Sequence, residues 1–361
     1  MPGSKPVLRR GKRRLFAVVL GFALQLGVLT LGSRPAQASE CESPAGLSPC
    51  FDANTLWLPA GRASFMSMPD TRLTAPAQLG FGVASELLHQ PLLLRVASPD
   101  RDGRDVHVLD YAVDVSYFLS FGLARNLEAS LLASLRAYQS GAGVGGIDSQ
   151  TAPPLTHNAV RDPRAGISYS LDEALAVPGF GLRLGVELTL PLGDRTAFAN
   201  ERSFVVMPNA TFGFRRGALQ LSAALGTRLR QAVDFAGFKL GQQGFVAFGV
   251  ALAVLEPGWL TVSAEAFGLP PFGDSRGSAA SPLVSDAQLF PAEWLLGIHS
   301  SLGRHGPWTL SLAGGSGLPL SSETRESSSG PHTSHFVGMT TPDFRSLLVL
   351  RFAPEQAPTP R

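Results

Sequence analysis

In GLRLGVELTLPLGD (181–194), Leu182, Leu184, Val186, Leu188 and Leu190 fall on one side of an extended chain. Arg183, Gly185, Glu187 and Thr189 fall on the other. This two-residue period is the signature of a β-strand with one apolar and one wet face. It recurs from about residue 77 to 352 and constrains the fold more than any other feature of the chain.

Val113, Val115, Tyr117, Leu119, Phe121 and Leu123 oppose Asp114, Ser116, Ser120 and Gly122. Leu127, Leu131 and Leu135 oppose Glu128 and Arg136, and Ala165, Ile167 and Tyr169 oppose Arg164 and Ser168. Leu219, Leu221 and Leu225 oppose Gln220, Ser222 and Arg228, with Arg230 two positions on. Val246, Phe248, Val250 and Leu252 face away from Ala247, Gly249 and Ala251. Leu260 and Val262 oppose Thr261, Ser263 and Glu265, while Trp294, Leu296 and Ile298 oppose Glu293, Gly297 and His299. Phe344, Leu348 and Leu350 close the series opposite Arg345 and Arg351. With 77–97, 204–215 (which carries Arg215) and 307–318, about 12 strands are expected, many near the roughly 9–11 residues that cross a bilayer at a tilt.

The connections sharpen this. Ala124–Asn126, Arg216–Gly217, Glu256–Gly258 and Arg304–Gly306 are short, whereas 98–109, 140–163, 193–203, 270–290 and 319–342 are long and rich in Gly, Ser, Pro and Asp. Short and long connections largely alternate, as in an up-and-down outer-membrane barrel with tight periplasmic turns and long external loops. A soluble sandwich reproduces the alternation. It does not readily give strand after strand without a charge on the apolar face. The fold expected is all-β, a transmembrane antiparallel barrel of about 12 strands over 77–353, closed because an open edge leaves backbone groups unpaired in hydrocarbon. Its leucines face lipid. An even strand number puts both barrel ends on the periplasmic side.

The address agrees. Lys5, Arg9, Arg10, Lys12, Arg13 and Arg14 precede the apolar run 15–32 and Ala36-Gln37-Ala38, the pattern of a signal peptide spanning 1–38. Arg13-Arg14 also allows a twin-arginine reading, and Cys41 follows no lipobox. Seven of the 30 basic residues and none of the 28 acidic ones lie in 1–38, so the remaining chain carries 23 against 28, a net charge of −5. That removes the compositional case for nucleic acid as a partner. Cys41 and Cys50 are placed to close a small disulfide loop in an oxidising compartment; two unpaired thiols are the alternative. Residues 39–76 are expected to form a periplasmic extension or a plug, and 354–361 a tail.

The inward faces collect both signs: Asp114, Glu128, Glu187, Glu265 and Glu293 against Arg136, Arg164, Arg183, Arg215, Arg228, Arg230, Arg345 and Arg351. Such a lining suits a pore for small polar solutes, or ion pairs that brace a filled lumen. Other chemistry is weak. Asp100, Asp102 and Asp105 around Gly103 lack the later bidentate acid of a calcium loop, and His332 and His335 sit in a serine-rich stretch, so no metal site is expected. GAGVGG (141–146) lacks the ending of a phosphate loop. His299 and Ser300 are adjacent, hence on opposite faces of a strand, and no third residue orients a base; neither an enzyme nor a cofactor is expected.

AQLGFGVASELLHQPLLLRVASPDRDGRDV (77–106), TLPLGDRTAFANERS (189–203) and TTPDFRSLLVLRFAP (340–354) resemble segments of exported β-barrel proteins of myxobacteria and their relatives. In that group the barrel is commonly the N-terminal part of a fusion with acidic calcium-binding repeats and an OmpA-like peptidoglycan-binding domain. Here only APEQAPTPR follows Phe352, leaving no room for such a domain and putting a wall-anchoring role in doubt. The expected partners are outer-membrane lipids, the barrel-assembly machinery during biogenesis, and small solutes if the lumen conducts. A non-conducting surface barrel acting through its long loops is the alternative, and release by a carbonate or urea wash would reveal a soluble periplasmic protein.

Overall fold

The structure, a computed structural model, describes residues 41, 46–96, 104–147, 154–171, 177–235, 238–255, 259–272, 290–302, 306–318 and 341–354. The leader region, most of 98–105 including Asp100 and Asp102, and the loop holding His332 and His335 lie outside the described residues. Among the described residues fifteen strands follow in chain order: β1 (Leu79–Val96), β2 (Arg104–Ala124), β3 (Leu127–Ser140), β4 (Ala159–Val160), β5 (Arg164–Ser170), β6 (Phe180–Thr189), β7 (Val205–Arg216), β8 (Leu219–Arg228), β9 (Val233–Phe235), β10 (Phe238–Leu240), β11 (Gln243–Leu255), β12 (Leu260–Gly268), β13 (Ala292–Leu302), β14 (Trp308–Gly317) and β15 (Phe344–Phe352). Among the described residues the helical content is slight, one 3₁₀ turn at Val144–Gly146 inside the Gly-rich 141–146 stretch being its longest piece.

Twelve of these strands close into a barrel. The antiparallel order β2-β1-β15-β14-β13-β12-β11-β8-β7-β6-β5-β3 is completed by a β2–β3 pairing, while β4 adds two residues to β3 and β9–β10 form a separate hairpin. Closure pairs the strand edges that would otherwise face hydrocarbon. The predicted spans agree with the barrel strands to within a few residues, except that β2 begins at Arg104 and turns much of the expected 98–109 loop into strand. β1 and β2 stay paired to Val96↔Arg104, with register shifts around His89 and Leu92.

Register sets the two faces. On β6, Leu184 and Val186 are 44% and 50% exposed on the outer wall, while Arg183 between its neighbours is 5% exposed inside. Leu221, Val250, Leu296, Ile298, Leu312 and Leu348 continue this outer belt. Aromatic residues gather toward its rims: Phe81, Phe121, Tyr169, Phe180 and Trp259 at the short-turn end, Tyr111, Tyr138, Trp294 and Phe344 at the other. An apolar band bounded by aromatic girdles is the outer surface of a barrel solvated by lipid; in water so large a patch would drive association.

The interior is filled by the chain that precedes β1. Asn54 bonds to Glu86 on β1 and Asp114 on β2, Thr74 to Glu128 on β3, and Ser67 to Glu265 on β12. Arg164 of β5, Arg183 of β6 and Arg228 of β8 donate to the Leu58, Asp70 and Thr55 carbonyls. A segment bonded to strands on every side of a closed barrel lies in its lumen. It crosses from end to end. Leu47 and Asp52 bridge to Phe235 and Ala199 in the long connections, whereas Ala77 pairs with Gly122 beside the β2–β3 turn. Residues 47–53 therefore pack at the long-loop end instead of hanging from the short-turn end, because the aromatic side chains there offer Phe51 a buried seat against Phe198 and Phe235.

Candidate functional site: the lumen and its internal segment

At the long-loop end Cys41 and Cys50 are bonded, with Cα atoms 5.4 Å apart. Just inward, Asp52 pairs with Arg161 at 2.6 Å, and Arg161 also reaches Asp114 at 3.0 Å. Burial opposes the charge on Arg161, but Asp52 and Asp114 beside it raise its pKa above the ordinary value. Next to it, the Asp162 carboxylate accepts from the Gly193 and Glu201 amides at 2.7 and 2.6 Å and from Asn200 Nδ2 at 2.8 Å. That ties the β4–β5 link to the β6–β7 connection. Burial pushes Asp162 up to about 7, outweighing those donors. Arg230, just past β8, pairs with Glu201 at 2.8 Å.

The middle of the lumen is a buried polar network. Arg345 donates to Glu293 at 2.7 and 2.9 Å, to Asn54 Oδ1 at 2.9 Å, to Thr55 Oγ1 at 3.2 Å and to Glu86. Arg136, opposite Asp114 in register, pairs with it at 2.8 Å and also donates to the Phe198 carbonyl. Asp114, Glu128, Glu293 and Arg345 are fully buried, and Arg136 nearly so. Below them the guanidinium carbons of Arg164 and Arg228 lie 4.6 and 4.3 Å from the Trp57 ring centroid, within cation–π range. Arg164 also reaches Glu187 at 3.4 Å.

Nearer the short turns, Glu265 accepts from the Met66 and Ser67 amides at 2.7 and 2.8 Å and from the Ser67 hydroxyl at 2.6 Å. Gly249 makes room for Phe65: a Cβ there would stand 2.6 Å from the ring. Arg183 pairs with Glu128 at 3.2 Å, and Arg351 donates to the carbonyls of Pro59 and Gly61. Asp70 lies between Arg72 and Arg215, each 3.2 Å away. Burial alone would raise its pKa, yet Arg72, Arg215 and Arg62 together hold it far below the usual carboxylate range.

The thirteen charged residues singled out from the sequence thus lie on the inner side of the wall or, for Arg230, just past its edge, and the internal segment brings most of them together. Glu187 and Arg215 keep substantial exposure, with side chains 27% and 35% accessible. Sequence reasoning missed the other half of the site. Asn54, Thr55 and Trp57 are 1%, 4% and 8% exposed, in a stretch with no periodicity to mark it. It also missed the partners of His299. Ser300 does face away, but the imidazole bridges Ser263 and Ser311 on the flanking strands, 2.9 Å to each hydroxyl. Only the register of three strands reveals that contact.

A closed twelve-stranded barrel with an apolar belt and a charged interior defines the class: this is an outer-membrane β-barrel fold. No family model matches the chain, and no curated protein matches it in sequence. Among solved structures, an outer-membrane channel from Pseudomonas putida F1 superposes with a TM-score of 0.50 at 12% identity, covering 77% of this chain and 96% of that one. The KdgM porin gives 0.41 at 7% identity (76% and 99% covered), and the Pseudomonas putida toluene transporter TodX 0.37 at 9% (85% and 96%). At these identities the first likeness establishes a shared fold.

Proposed function

We propose that this chain resides in the outer membrane and acts as a passive channel, or transporter component, for small polar solutes, with residues 47–76 setting the path through the lumen. One observation carries the reading: the internal segment is joined to the wall by hydrogen bonds and ion pairs, not as one of its strands, so it can shift while the barrel stays closed. The outer-membrane channel that shares the fold supports the reading, as does the apolar outer belt. Arg183 and Arg228 are the charges that a solute would meet beside the segment. Export through a cleaved leader ending at Ala38 and folding by the barrel-assembly machinery complete the proposal. Kinship with the myxobacterial barrels stands as part of it.

The test is single-channel conductance of refolded residues 39–361 in a planar bilayer. Discrete current steps whose size or ion preference changes in Arg183→Gln or Arg228→Gln are expected. A second reading, a non-conducting barrel acting through its long loops, is favoured by the burial of Asn54, Thr55 and Trp57 across mid-lumen. Insertion without steps, in wild type and in variants that loosen the segment, would establish that reading instead.

A further inference from the structure

The internal segment meets the wall unevenly. Toward β1, β2, β3, β12 and β13 short groups suffice: Asn54, Thr55, Ser67 and the Thr74 amide bond wall carboxylates directly. Toward β5, β6 and β8 it is the long arms of Arg164, Arg183 and Arg228 that reach across to segment carbonyls. Inward side chains differ in the same sense. Ala84, Ser116, Ser263, Leu295, Ala313 and Leu347, on the first side, are 6% exposed or less. On β6 Glu187 keeps 27% of its side chain accessible, and on β7 Asn209 is half-buried. Gly166 and Gly185 stand beside them in register, and a Cβ at Gly185 would come within 2.8 Å of Asn209 Oδ1. On this arc, too, buried polar atoms have no partner among the described residues: Thr189 Oγ1, Arg228 Nε, and Arg183 Nε and Thr211 Oγ1 on residues directly opposed in register. Such atoms are rare in a well-fitted interior, so the segment's fit is loosest here.

We propose that the solute path is the seam between the internal segment and β5–β7, with Glu187 and Asn209 the residues that read the solute at mid-height. At the next inward positions toward the short turns, Arg183 and Thr211 are buried; at the next toward the long loops, so are Arg164 and Thr189. Glu187 and Asn209 therefore line a recess between two closed layers. Each layer hangs on a guanidinium that holds one carboxylate and one segment carbonyl: Arg183 with Glu128 and Asp70, Arg164 with Glu187 and Leu58. A shift of the segment releases the carbonyl bonds in both layers and leaves every strand pairing intact. Carboxylate and side-chain amide oxygens accept hydrogen bonds, so the recess suits a small solute that presents hydroxyl or amine donors, a polyol being the simplest. This deepens the channel reading by naming its route and solute class, and it rests on that reading for the transport role alone.

Single cysteines test it in refolded residues 39–361, where Cys41 and Cys50 are bonded to each other. Asn209→Cys is compared with Ala313→Cys and Ala84→Cys on the tight side, each treated with a small water-soluble methanethiosulfonate and read by mass. Asn209→Cys is expected to react at least about tenfold faster than either control, because the reagent needs access to the thiol. Liposome swelling in ribitol should slow several-fold once Asn209→Cys is modified and stay unchanged for reagent-treated Ala313→Cys. Near-wild-type circular dichroism shows that the variants fold. Equal labelling of the three folded variants, or swelling indifferent to complete modification of Asn209→Cys, overturns the proposal. Labelling needs no transport, so selective modification of a barrel that gives no swelling at all would refute the channel and keep the recess.

Discussion

Replacing Arg345 by methionine removes a guanidinium that makes two bonds to Glu293 and one each to Glu86, Asn54 and Thr55, and keeps most of the apolar stem. Glu86 and Glu293 are then left in a space 2% and 0% exposed, with Asn54 and Thr55 as their hydrogen-bond donors among the described residues. Removing one partner of a buried pair typically costs about 3–5 kcal/mol, because the other charge stays uncompensated. The loss here belongs at the upper part of that range, since one cation answers two carboxylates. It concerns the docking of residues 54–55, so it is also read as protease access to the internal segment. The assay is urea unfolding of the refolded barrel in micelles for wild type, Arg345→Met, Glu293→Gln and the double variant. The double variant should cost less than the sum by about 1–3 kcal/mol, the coupling expected of direct contacts. A loss below about 1 kcal/mol for Arg345→Met, or strict additivity, would refute the claim that this network holds the segment in place.

Three other perturbations separate the layers of the molecule. Gly249→Val drives a side chain into Phe65 and Met68, at a cost of about 1–3 kcal/mol for overpacking, and should make channel openings more frequent; identical current records would deny the segment its part in setting the path. Leu184→Arg, mid-strand on the lipid face, should destabilise the vesicle-folded barrel by about 2–4 kcal/mol, while Glu187→Gln on the other face changes little; equal effects would mean the faces are assigned the wrong way round. Asp162 titrates at about 7 in the folded protein against 3.8 for the free side chain, so the folded state holds the extra proton between those values. Its contribution is therefore greatest below about pH 4 and falls as pH rises through 7. Thermal unfolding from pH 4 to 8 should show that decline in wild type and less of it in Asp162→Asn.

The barrel wall was legible because lipid and lumen impose opposite demands on consecutive residues. Leu184 and Arg183 cannot exchange places without cost on both sides, and that constraint prints a period of two on every strand. The internal segment carries no such print. Asn54, Thr55, Ser67 and Asp70 read as loop residues by composition, and they are buried because partners on distant strands satisfy them, Glu86, Arg345, Glu265 and Arg215 among them. Sequence separations of 32 to 290 residues leave no local trace of such contacts. The short strands β4, β9 and β10 escaped for a related reason: two or three residues are too few to show alternation.

The balance of charge along the lumen connects these observations. Inward arginines outnumber inward acids in the wall, yet residues 39–361 carry a net negative charge. Toward the long loops the internal segment helps to correct the imbalance, Asp52 facing Arg136 and Arg161 there. Toward the short turns Asp70 takes the same part between Arg72 and Arg215, so removing both guanidiniums in Arg72→Gln/Arg215→Gln should lower the unfolding midpoint.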